Sequence, residues 1–519
     1  MYSLGRVLPS RMFLIMILVL AFVSSPFLQY HSSSIAYAAV SKRQSDSGPT
    51  IKDPNLTAKI VFRGGLKFPT SMAFLGPDDI LVLEKNEGTV KRIVNGVMLQ
   101  EPLLDVNVAN KAERGMLGIA VAKKQQQQRN NNNNTTTYVF LYYTEAAGKK
   151  DGTDVTKSKE PLGNRLYRYE LVNNSKLVNP KLLLDLPATP GPMHNAGKII
   201  IGLDDNDLYL VIGDVTIGKS QIKNSPDGPA ADGRGGILRI TQNGKAIKKG
   251  DDHANILGKK SPLNLYYAYG IRNSFGIDFD PVTKKLWDSE NGPASDDEIN
   301  LVNPGFNSGW SKIQGIWQPS SPSSQQQEQE NDFSSSSGRN TMPSSSSSSP
   351  PPPPPPLPIQ QPNNLVSFGK KGKYSDPEFV WTQPVGVTAI KFLNSSKLGK
   401  QYKNDMFVGD FHQGNLYDFN LNKKRTELSL KGSLKDKIAN NNNSDELNKV
   451  IFGKGFGGIT DIQVGPDGYL YVLSLYQGGD NCKYLKKDNN NNQKKAKDCI
   501  PYSSSIEGTI FRIAPVTAY

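Results

Sequence analysis

The 519-residue sequence predicts an all-β protein with the architecture of a six-bladed β-propeller. The first observation is that short apolar segments with two-residue alternation recur along the chain, separated by turns rich in Gly, Pro and Asp. The second is that these segments form six copies of one unit, while helical periodicity is nearly absent. Six copies favour a propeller, because radial closure protects the sheet edges. A sandwich of many strands is the alternative, but it would not require a repeat.

Each copy contains a strand, a tight turn, a second strand, a loop and a third strand, with room for a fourth. In chain order the predicted strands are 71–74, 80–84 and 88–93; 116–121, 138–143 and 164–169; 198–201, 208–212 and 236–240; 275–279, 285–288 and 297–302; 387–392, 405–408 and 414–419; and 459–464, 470–473 and 508–513.

Residues 1–38 are predicted to be a secretory signal peptide. Arg6 and Arg11 flank the start of an apolar core at residues 12–23, and Ala36-Tyr37-Ala38 is a small-x-small cleavage site. An uncleaved N-terminal anchor is the alternative, but an apolar run of about 12 residues is short for a membrane span. No later segment is long and apolar enough to cross a bilayer, so we expect a soluble chain that is secreted or extracytoplasmic.

Behind the signal we expect a linker at 39–58 and one propeller domain at 59–519. Polar tracts interrupt this domain, and their composition cannot bury enough apolar surface to offset the entropy of ordering. The inserts predicted to be disordered are about 122–137, 319–364, 438–445 and 486–497. The two cysteines, Cys482 and Cys499, can form a disulfide in an exported protein, with two unrelated thiols as the alternative.

The net charge of +13 raises the question of a nucleic-acid partner. The lysines, however, are spread through loops and polar runs, and no nucleic-acid-binding motif accompanies them. The sequence therefore predicts a solvated basic surface and no nucleic-acid partner.

The most informative single residue is His194, one of only four histidines in the chain. It lies in a Gly/Pro-flanked turn just before an apolar strand, and a neutral histidine at the mouth of a propeller can act as a general base. Asp214 ends the next strand of the same unit. If the two strands pair, Asp214 returns to His194 and can hold one tautomer of its ring. A histidine that satisfies turn carbonyls is the alternative.

Two further segments bracket strands of the fourth unit. Arg272 and Asn273 precede one strand, and an arginine there can stabilise a developing oxyanion or form a structural salt bridge. Gly292 and Pro293 follow the next strand. Their carbonyl oxygens, beside the acidic residues 296–298, suit Ca²⁺, although a plain acidic turn is the alternative.

Together these segments resemble the soluble PQQ-dependent glucose and aldose sugar dehydrogenases, the glucose/sorbosone dehydrogenase family. Matching phrases are Arg114-Gly-Met-Leu-Gly118, Gly465-Pro-Asp-Gly-Tyr-Leu-Tyr471 and Gly508-Thr-Ile-Phe-Arg512, and the likeness covers about Lys59 to Pro515 apart from the inserts. In that family a six-bladed propeller holds pyrroloquinoline quinone (PQQ) on Ca²⁺ in its central channel. The resemblance implies oxidation of the C1 hydroxyl of an aldose to a lactone, with hydride transfer to PQQ and onward transfer to an unidentified electron acceptor.

The resemblance also implies roles for individual residues. His194 matches the catalytic base, Asp214 its orienting carboxylate, and Arg272 with Asn273 the pair that contacts the quinone oxygens. Gly292 and Pro293 match the carbonyl ligands of calcium. Further cofactor-binding positions are Glu113, Asn291 and His412, the first two standing where glutamines are usual.

The chain departs from the family at the end that binds the cofactor's carboxylates. Best-known members use a lysine and two arginines there, and the corresponding positions are His412, Gly458 and Thr460. Met193 replaces an acid before the histidine. Substitutes for the lost cations could come from Lys454, Arg114 or Lys219.

The lost cations leave a second function open, namely a non-catalytic cell-surface propeller that binds glycan or protein. A metal-dependent lactonase ranks last, because that chemistry needs several ligands converging from different blades. The sequence shows no such set apart from the local acidic loop.

Overall fold

The computed structural model describes residues 48–126, 134–248, 250–251, 253–318, 362, 364–440, 444–475 and 507–516. Contacts divide the chain into Met1–Asp46 and one compact unit, Ser47–Tyr519. The predicted signal peptide 1–38, nearly all of the insert 319–364, the insert 486–497 and both cysteines lie outside the described residues.

The described part of the chain is built from strands. In chain order they are β1 (Thr50–Ile51), β2 (Leu56–Lys67), β3 (Pro69–Gly76), β4 (Asp79–Glu84), β5 (Thr89–Val94), β6 (Val97–Met98), β7 (Leu104–Asp105), β8 (Met116–Gln126), β9 (Asn134–Glu145), β10 (Gly163–Val172), β11 (Lys176–Leu186), β12 (Ile199–Ile201), β13 (Leu208–Ile212), β14 (Gly236–Ile240), β15 (Tyr266–Tyr269), β16 (Ser274–Phe279), β17 (Leu286–Glu290), β18 (Asp297–Val302), β19 (Phe306–Asn307), β20 (Lys373–Tyr374), β21 (Phe379–Trp381), β22 (Val387–Phe392), β23 (Met406–Asp410), β24 (Leu416–Phe419), β25 (Ile438–Ala439), β26 (Ile451–Lys454), β27 (Gly458–Val464), β28 (Leu470–Leu475) and β29 (Glu507–Pro515).

Helical structure is short, as expected from the sequence. The described residues contain α1 (Thr153–Thr156), α2 (Ser444–Val450) and 3₁₀ turns at Gln221–Lys223, Lys400–Tyr402 and Gly432–Asp436. No helix among the described residues is long and apolar enough to cross a membrane.

The strands form six sheets, numbered here along the chain. Sheet 1 contains β3, β4, β5, β6 and β7; sheet 2 contains β8, β9, β10 and β11; sheet 3 contains β12, β13, β14, β15, β19 and β20; sheet 4 contains β16, β17, β18, β21 and β25; sheet 5 contains β22, β23, β24, β26 and β1; and sheet 6 contains β27, β28, β29 and β2. The three strands predicted for each repeat are the first three strands of sheets 1 to 6, with ends that shift by a few residues.

The sheets follow one another around a common axis in a propeller-like arrangement. The first strand of each sheet contacts the first strand of the next, and the circle closes between β27 and β3. A hydrophobic cluster lies between each pair of neighbouring sheets, including the pair formed by sheets 6 and 1. Middle strands are therefore covered on both faces, which explains the continuous apolar run of β13 and the burial of every residue in β13 and β14.

The N-terminal part of the domain corrects the predicted linker at 39–58. Residues 50–51 form β1, which pairs with β26, and residues 56–58 begin β2, which pairs antiparallel with β29. A strand from the N-terminus thus completes the last sheet. The physical reason is that the outer edge of β29 exposes unpaired N–H and C=O groups that β2 satisfies.

Two predicted inserts also need correction. The insert at about 122–137 is partly β-structure, because β8 runs to Gln126 and β9 starts at Asn134, with Thr135–Thr137 paired to Lys123–Gln125. β-Branched threonines suit an extended backbone, and cross-strand pairing supplies their hydrogen bonds. The insert at 438–445 likewise contains β25 and the start of α2.

Candidate functional site

A cavity of about 290 Å³ lies on the axis, lined by strand residues of sheets 1, 2, 4, 5 and 6 and by loops that include the turn before β12 of sheet 3. Most of the site residues predicted from the sequence meet there. Those that line the cavity are Glu113, His194, Arg272, Asn273, Asn291, Gly292, Pro293 and His412. Asp214 lies directly behind His194.

His194 is held from two sides. Its Nδ1 lies 2.6 Å from Asp214 Oδ1, and its backbone N–H donates to Glu113 Oε2 at 2.6 Å. Antiparallel pairing of β12 with β13 returns Asp214 to the histidine turn, as the sequence predicted. Because Nδ1 faces Asp214, Nε2 is the ring nitrogen that a neutral imidazole can use as a proton acceptor.

The Asp214 carboxylate accepts hydrogen bonds from several directions. Besides His194 it accepts from Thr216 N at 2.8 Å, Trp310 Nε1 at 2.8 Å and Lys223 Nζ at 2.9 Å. Burial raises the pKa of this carboxyl, but these donors and the nearby positive charge outweigh burial and hold the pKa well below its usual range. Asp214 therefore stays ionised and keeps the proton of a neutral His194 on Nδ1.

Glu113 links the histidine turn to the Arg-Asn segment. Its buried carboxylate accepts from the backbone of His194 and Asn195 and, at 3.2 Å, from Asn273 Nδ2. Burial raises its pKa, against the opposing effect of these donors. Hydrogen bonds of Glu113 therefore connect the His194 turn to Asn273 in the cavity wall.

Arg272 is half-enclosed by its neighbours. Its Nη1 donates to Asn291 O at 2.8 Å, and its guanidinium lies 5.5 Å from the centre of the Trp310 ring. Burial lowers its pKa, while the carboxylates of Asp214 and Glu290 oppose this shift.

Two buried polar atoms in the cavity wall are unpaired within the described residues. They are Arg272 Nε, a donor, and Asn273 Oδ1, an acceptor. Leaving a buried polar atom unpaired costs about 1–3 kcal/mol, so such atoms call for an explanation. A donor and an acceptor from adjacent residues lining one cavity are what a polar ligand would satisfy.

Gly292 and Pro293 lie in the loop between β17 and β18. Gly292 N–H donates to Asp297 Oδ1 at 2.9 Å, and Asp297 Oδ2 accepts from Val385 N and Gly386 N, both at 2.8 Å. A Cβ at residue 292 would lie 1.8 Å from Ser295 O, so only glycine fits this turn.

The acidic side chains of this loop are engaged in hydrogen bonds within the protein. Asp297 bonds backbone N–H groups, Asp296 accepts from Ser295 Oγ, and Glu298 accepts from Gly315 N at 2.7 Å. Within the described ranges, no group of three or more His, Cys, Asp or Glu side chains could hold a metal ion. The backbone carbonyls are the ligands that this loop can still offer.

The three expected cation positions hold neither lysine nor arginine. His412 is exposed at the rim, with Nδ1 3.4 Å from Pro384 O, and Thr460 lines the wall while Gly458 is buried in β27. None of the suggested substitutes is among the lining residues. Lys454 and Lys219 bond Asn448 and Asp227 at exposed positions, and Arg114 is buried against Asp154.

The structure adds residues that sequence reasoning missed. Lys85 and Lys198 line the cavity, and Trp310 and Lys223 surround Asp214. Lys85 directly follows β4 and Lys198 directly precedes β12, so their position at strand ends was a usable signal. Trp310 and Lys223 come from long connections, and nothing local in the sequence marks them.

Fold and cavity together define a class of protein: a propeller-like chain with a histidine–carboxylate pair and an Arg-Asn pair at an axial cavity. The glucose/sorbosone dehydrogenase family model matches residues 66–348, more than half of the chain. The chain therefore belongs to the glucose/sorbosone dehydrogenase family.

Known relatives agree with this assignment. The aldose sugar dehydrogenase YliI of Escherichia coli is 23% identical over 81% of this chain and 90% of its own length. Quinoprotein glucose dehydrogenase B of Acinetobacter calcoaceticus is 32% identical over 29% of this chain and 32% of its own length.

Solved structures show the same fold. The apo aldose sugar dehydrogenase of Escherichia coli has a TM-score of 0.55 at 19% identity, covering 89% of this chain and 100% of the other. The PQQ-bound aldose sugar dehydrogenase of Streptomyces coelicolor has a TM-score of 0.51 at 18% identity, covering 90% and 100%.

Proposed function

We propose that this protein is an exported quinoprotein that oxidises the C1 hydroxyl of an aldose to a lactone, with PQQ and Ca²⁺ as cofactors. The observation that carries the proposal is the His194–Asp214 pair at a cavity whose wall also holds the unpaired Arg272 Nε and Asn273 Oδ1. Family membership supports the sugar substrate and the quinone. In this proposal each of the six sheets is one propeller blade.

The residues present fit a quinone cofactor. PQQ has carbonyl oxygens that accept hydrogen bonds and polar edges that donate them, which complements one unpaired donor and one unpaired acceptor in the wall. The cavity volume of about 290 Å³ is near the lower end of the roughly 300–1,000 Å³ range of ligand pockets. Arg272, Asn273 and Asn291 would hold the quinone side, and Gly292 and Pro293 would offer carbonyl oxygens to Ca²⁺.

His194 is the proposed base. When bound, PQQ supplies the acceptor for the hydride that leaves C1 of the sugar. As the C1 carbon loses that hydride, His194 Nε2 takes the hydroxyl proton, and the C–O bond becomes the carbonyl of the lactone. Asp214 stabilises the imidazolium that results, because its ionised carboxylate already faces Nδ1.

Arg272 is the proposed electrostatic partner. Its guanidinium is part-buried in the cavity wall, where a positive charge stabilises developing negative charge more strongly than in water. The bond to Asn291 O and the contact with Trp310 fix its orientation before any ligand arrives.

The first experiment follows sugar-dependent reduction of the quinone by absorbance, with the purified protein loaded with PQQ and Ca²⁺. The variant is His194→Asn, because residue 194 has φ +62° and asparagine tolerates this left-handed backbone. We expect turnover with aldoses to fall at least about 100-fold, as is typical for loss of a general base.

The matched control is His253→Asn, which also has positive φ and lies outside the cavity. It should retain turnover. Turnover by His194→Asn equal to wild type would overturn the assignment of the base. A folded wild-type protein that binds Ca²⁺ but neither binds PQQ nor oxidises aldoses would favour the non-catalytic propeller.

A further inference from the structure

We propose that Lys85 and Lys198 form an anion subsite that receives carboxylates of the bound quinone. This inference rests on the proposed function and extends it to the end of the cavity where the expected cations are absent. Both lysines are at least nine-tenths buried and line the same cavity as His194 and Arg272.

Lys198 reaches across the central channel. It directly precedes β12 of sheet 3, and its ammonium forms a short ion pair with Asp461 in β27 of sheet 6. Contacts between first strands run around the ring from β22 through β27, β3, β8, β12 and β16, so sheets 3 and 6 lie opposite each other. The ion pair therefore spans the axis of the molecule.

The Lys198–Asp461 ion pair brings a positive charge close to Thr460, one of the positions where family members have an arginine. Asp461 is the neighbour of Thr460, and Thr460 lines the cavity together with Lys198 and Ser71. An ammonium group has three donors. Lys198 uses one on Asp461, and Ser71 Oγ lies at the long distance of 3.5 Å, so the group retains capacity for an anionic ligand.

Lys85 supplies a second charge on the same wall. Its ammonium donates to Asn86 Oδ1 at 2.8 Å and lies 5.4 Å from the centre of the Phe68 ring. Burial lowers its pKa to about 7, against the opposing charges of Glu113 and Asp154. An anion in the cavity would offset this desolvation and favour the charged form.

The acids of the lining do not cancel these charges fully. Both acids are occupied by hydrogen bonds within the protein: Glu113 accepts from His194 N, Asn195 N and Asn273 Nδ2, and Asp297 accepts from three backbone N–H groups. Three basic side chains, from Lys85, Lys198 and Arg272, face the same space. Such a lining suits a ligand with several carboxylates better than a neutral sugar, and charge-assisted bonds to them are stronger than neutral ones.

The test measures PQQ affinity of the full mature protein in Ca²⁺ by quenching of tryptophan fluorescence, so that it does not depend on turnover. The variants are Lys85→Met and Lys198→Gln. Each should weaken PQQ binding by roughly 10- to 100-fold, the range for one hydrogen bond to a charged group. Lys198→Arg keeps the charge and should bind PQQ within a few-fold of wild type.

The matched control is Lys391→Gln, which removes a lysine from a part-buried ion pair with Asp278 outside the cavity. It should leave PQQ affinity unchanged. Thermal melting checks that each variant is folded. If loss of the Lys198–Asp461 ion pair prevents folding, Lys85→Met still tests the subsite, because it leaves that ion pair in place.

The outcomes separate this inference from the function on which it rests. If wild type binds PQQ and both neutral variants bind it equally well, the anion subsite is wrong while the proposed function stands. If Lys198→Arg loses as much affinity as Lys198→Gln, the ion pair is only a structural link across the channel. If wild type does not bind PQQ at all, the proposed function falls and the subsite with it.

Discussion

Asp214 accepts hydrogen bonds from His194, Thr216, Trp310 and Lys223 while it is almost completely buried. Its pKa is lowered, since these donors outweigh burial. A carboxylate with a lowered folded-state pKa stabilises the fold above its unfolded pKa of about 3.9, and that contribution disappears only as pH falls through the folded value. The pair with His194 should thus remain ordered through mildly acidic pH.

Replacing this carboxylate tests its orienting role. Asp214→Asn keeps the shape but removes the charge and presents an amide that can donate to His194 Nδ1, which favours the wrong ring tautomer. We expect kcat to fall at least about 100-fold, with PQQ affinity nearly unchanged. The measurement is steady-state kinetics across pH 5 to 9 beside PQQ titration. Asp227→Asn is the control, because Asp227 forms an exposed ion pair with Lys219. A wild-type kcat in Asp214→Asn would contradict the role of Asp214 in orienting His194.

At the scale of elements, Asp297 joins two loops at the cavity. At the start of β18, its carboxylate accepts from Gly292 in the preceding loop and from Val385 and Gly386 in the connection between β21 and β22. One side chain thereby sets the position of the turn that carries Gly292 and Pro293. Short loops between rigid strands gain their geometry from such bonds rather than from their own propensity.

Asp297→Ala should therefore disturb both stability and cation binding. Three backbone N–H groups lose their acceptor, which we expect to lower the free energy of unfolding by about 2–4 kcal/mol and to weaken Ca²⁺ binding in the presence of PQQ. Urea unfolding and calorimetric Ca²⁺ titration measure the two effects. Asp296→Asn is the matched control, because its φ of +62° tolerates asparagine. Unchanged Ca²⁺ affinity in Asp297→Ala would rule out this positioning role.

At the scale of the whole molecule, closure of the circle depends on a strand from the N-terminal end. β2 completes sheet 6 by pairing with β29, and β1 adds to sheet 5 by pairing with β26. Leu56 and Leu66 of β2 are buried in two different clusters between sheets. The first described strands of the chain therefore hold its last sheet in place.

Removing these strands should open the molecule. A chain that starts at residue 68 exposes the edge of β29 and the apolar surface under β2, so we expect aggregation or a Tm lower by at least about 10 °C. The comparison is with chains that start at residue 39 and at residue 48, measured by calorimetry and light scattering. Equal Tm values for all three chains would show that β2 is dispensable.

Local pattern was sufficient for much of the fold and for part of the site. The strands of all six repeats followed from alternation and turns, and the His194–Asp214 contact followed from antiparallel pairing of adjacent strands. Those features depend on residues close in sequence, where strand geometry alone fixes the arrangement. Position at strand ends also singled out Arg272, Asn273, Gly292 and Pro293, to which the family resemblance assigned roles, and all four line the cavity.

The tertiary structure decided what depends on distant partners. Lys198 and Asp461 are 263 residues apart, and Asp214 meets Trp310 from a position 96 residues away. The pairing of β2 with β29 joins opposite ends of the domain. Such contacts arise only when the sheets close into a ring, because ring closure, not local propensity, determines which side chains share the axis. The sequence by itself therefore determined the strands and the histidine pair, while the closed ring determined the charge around them.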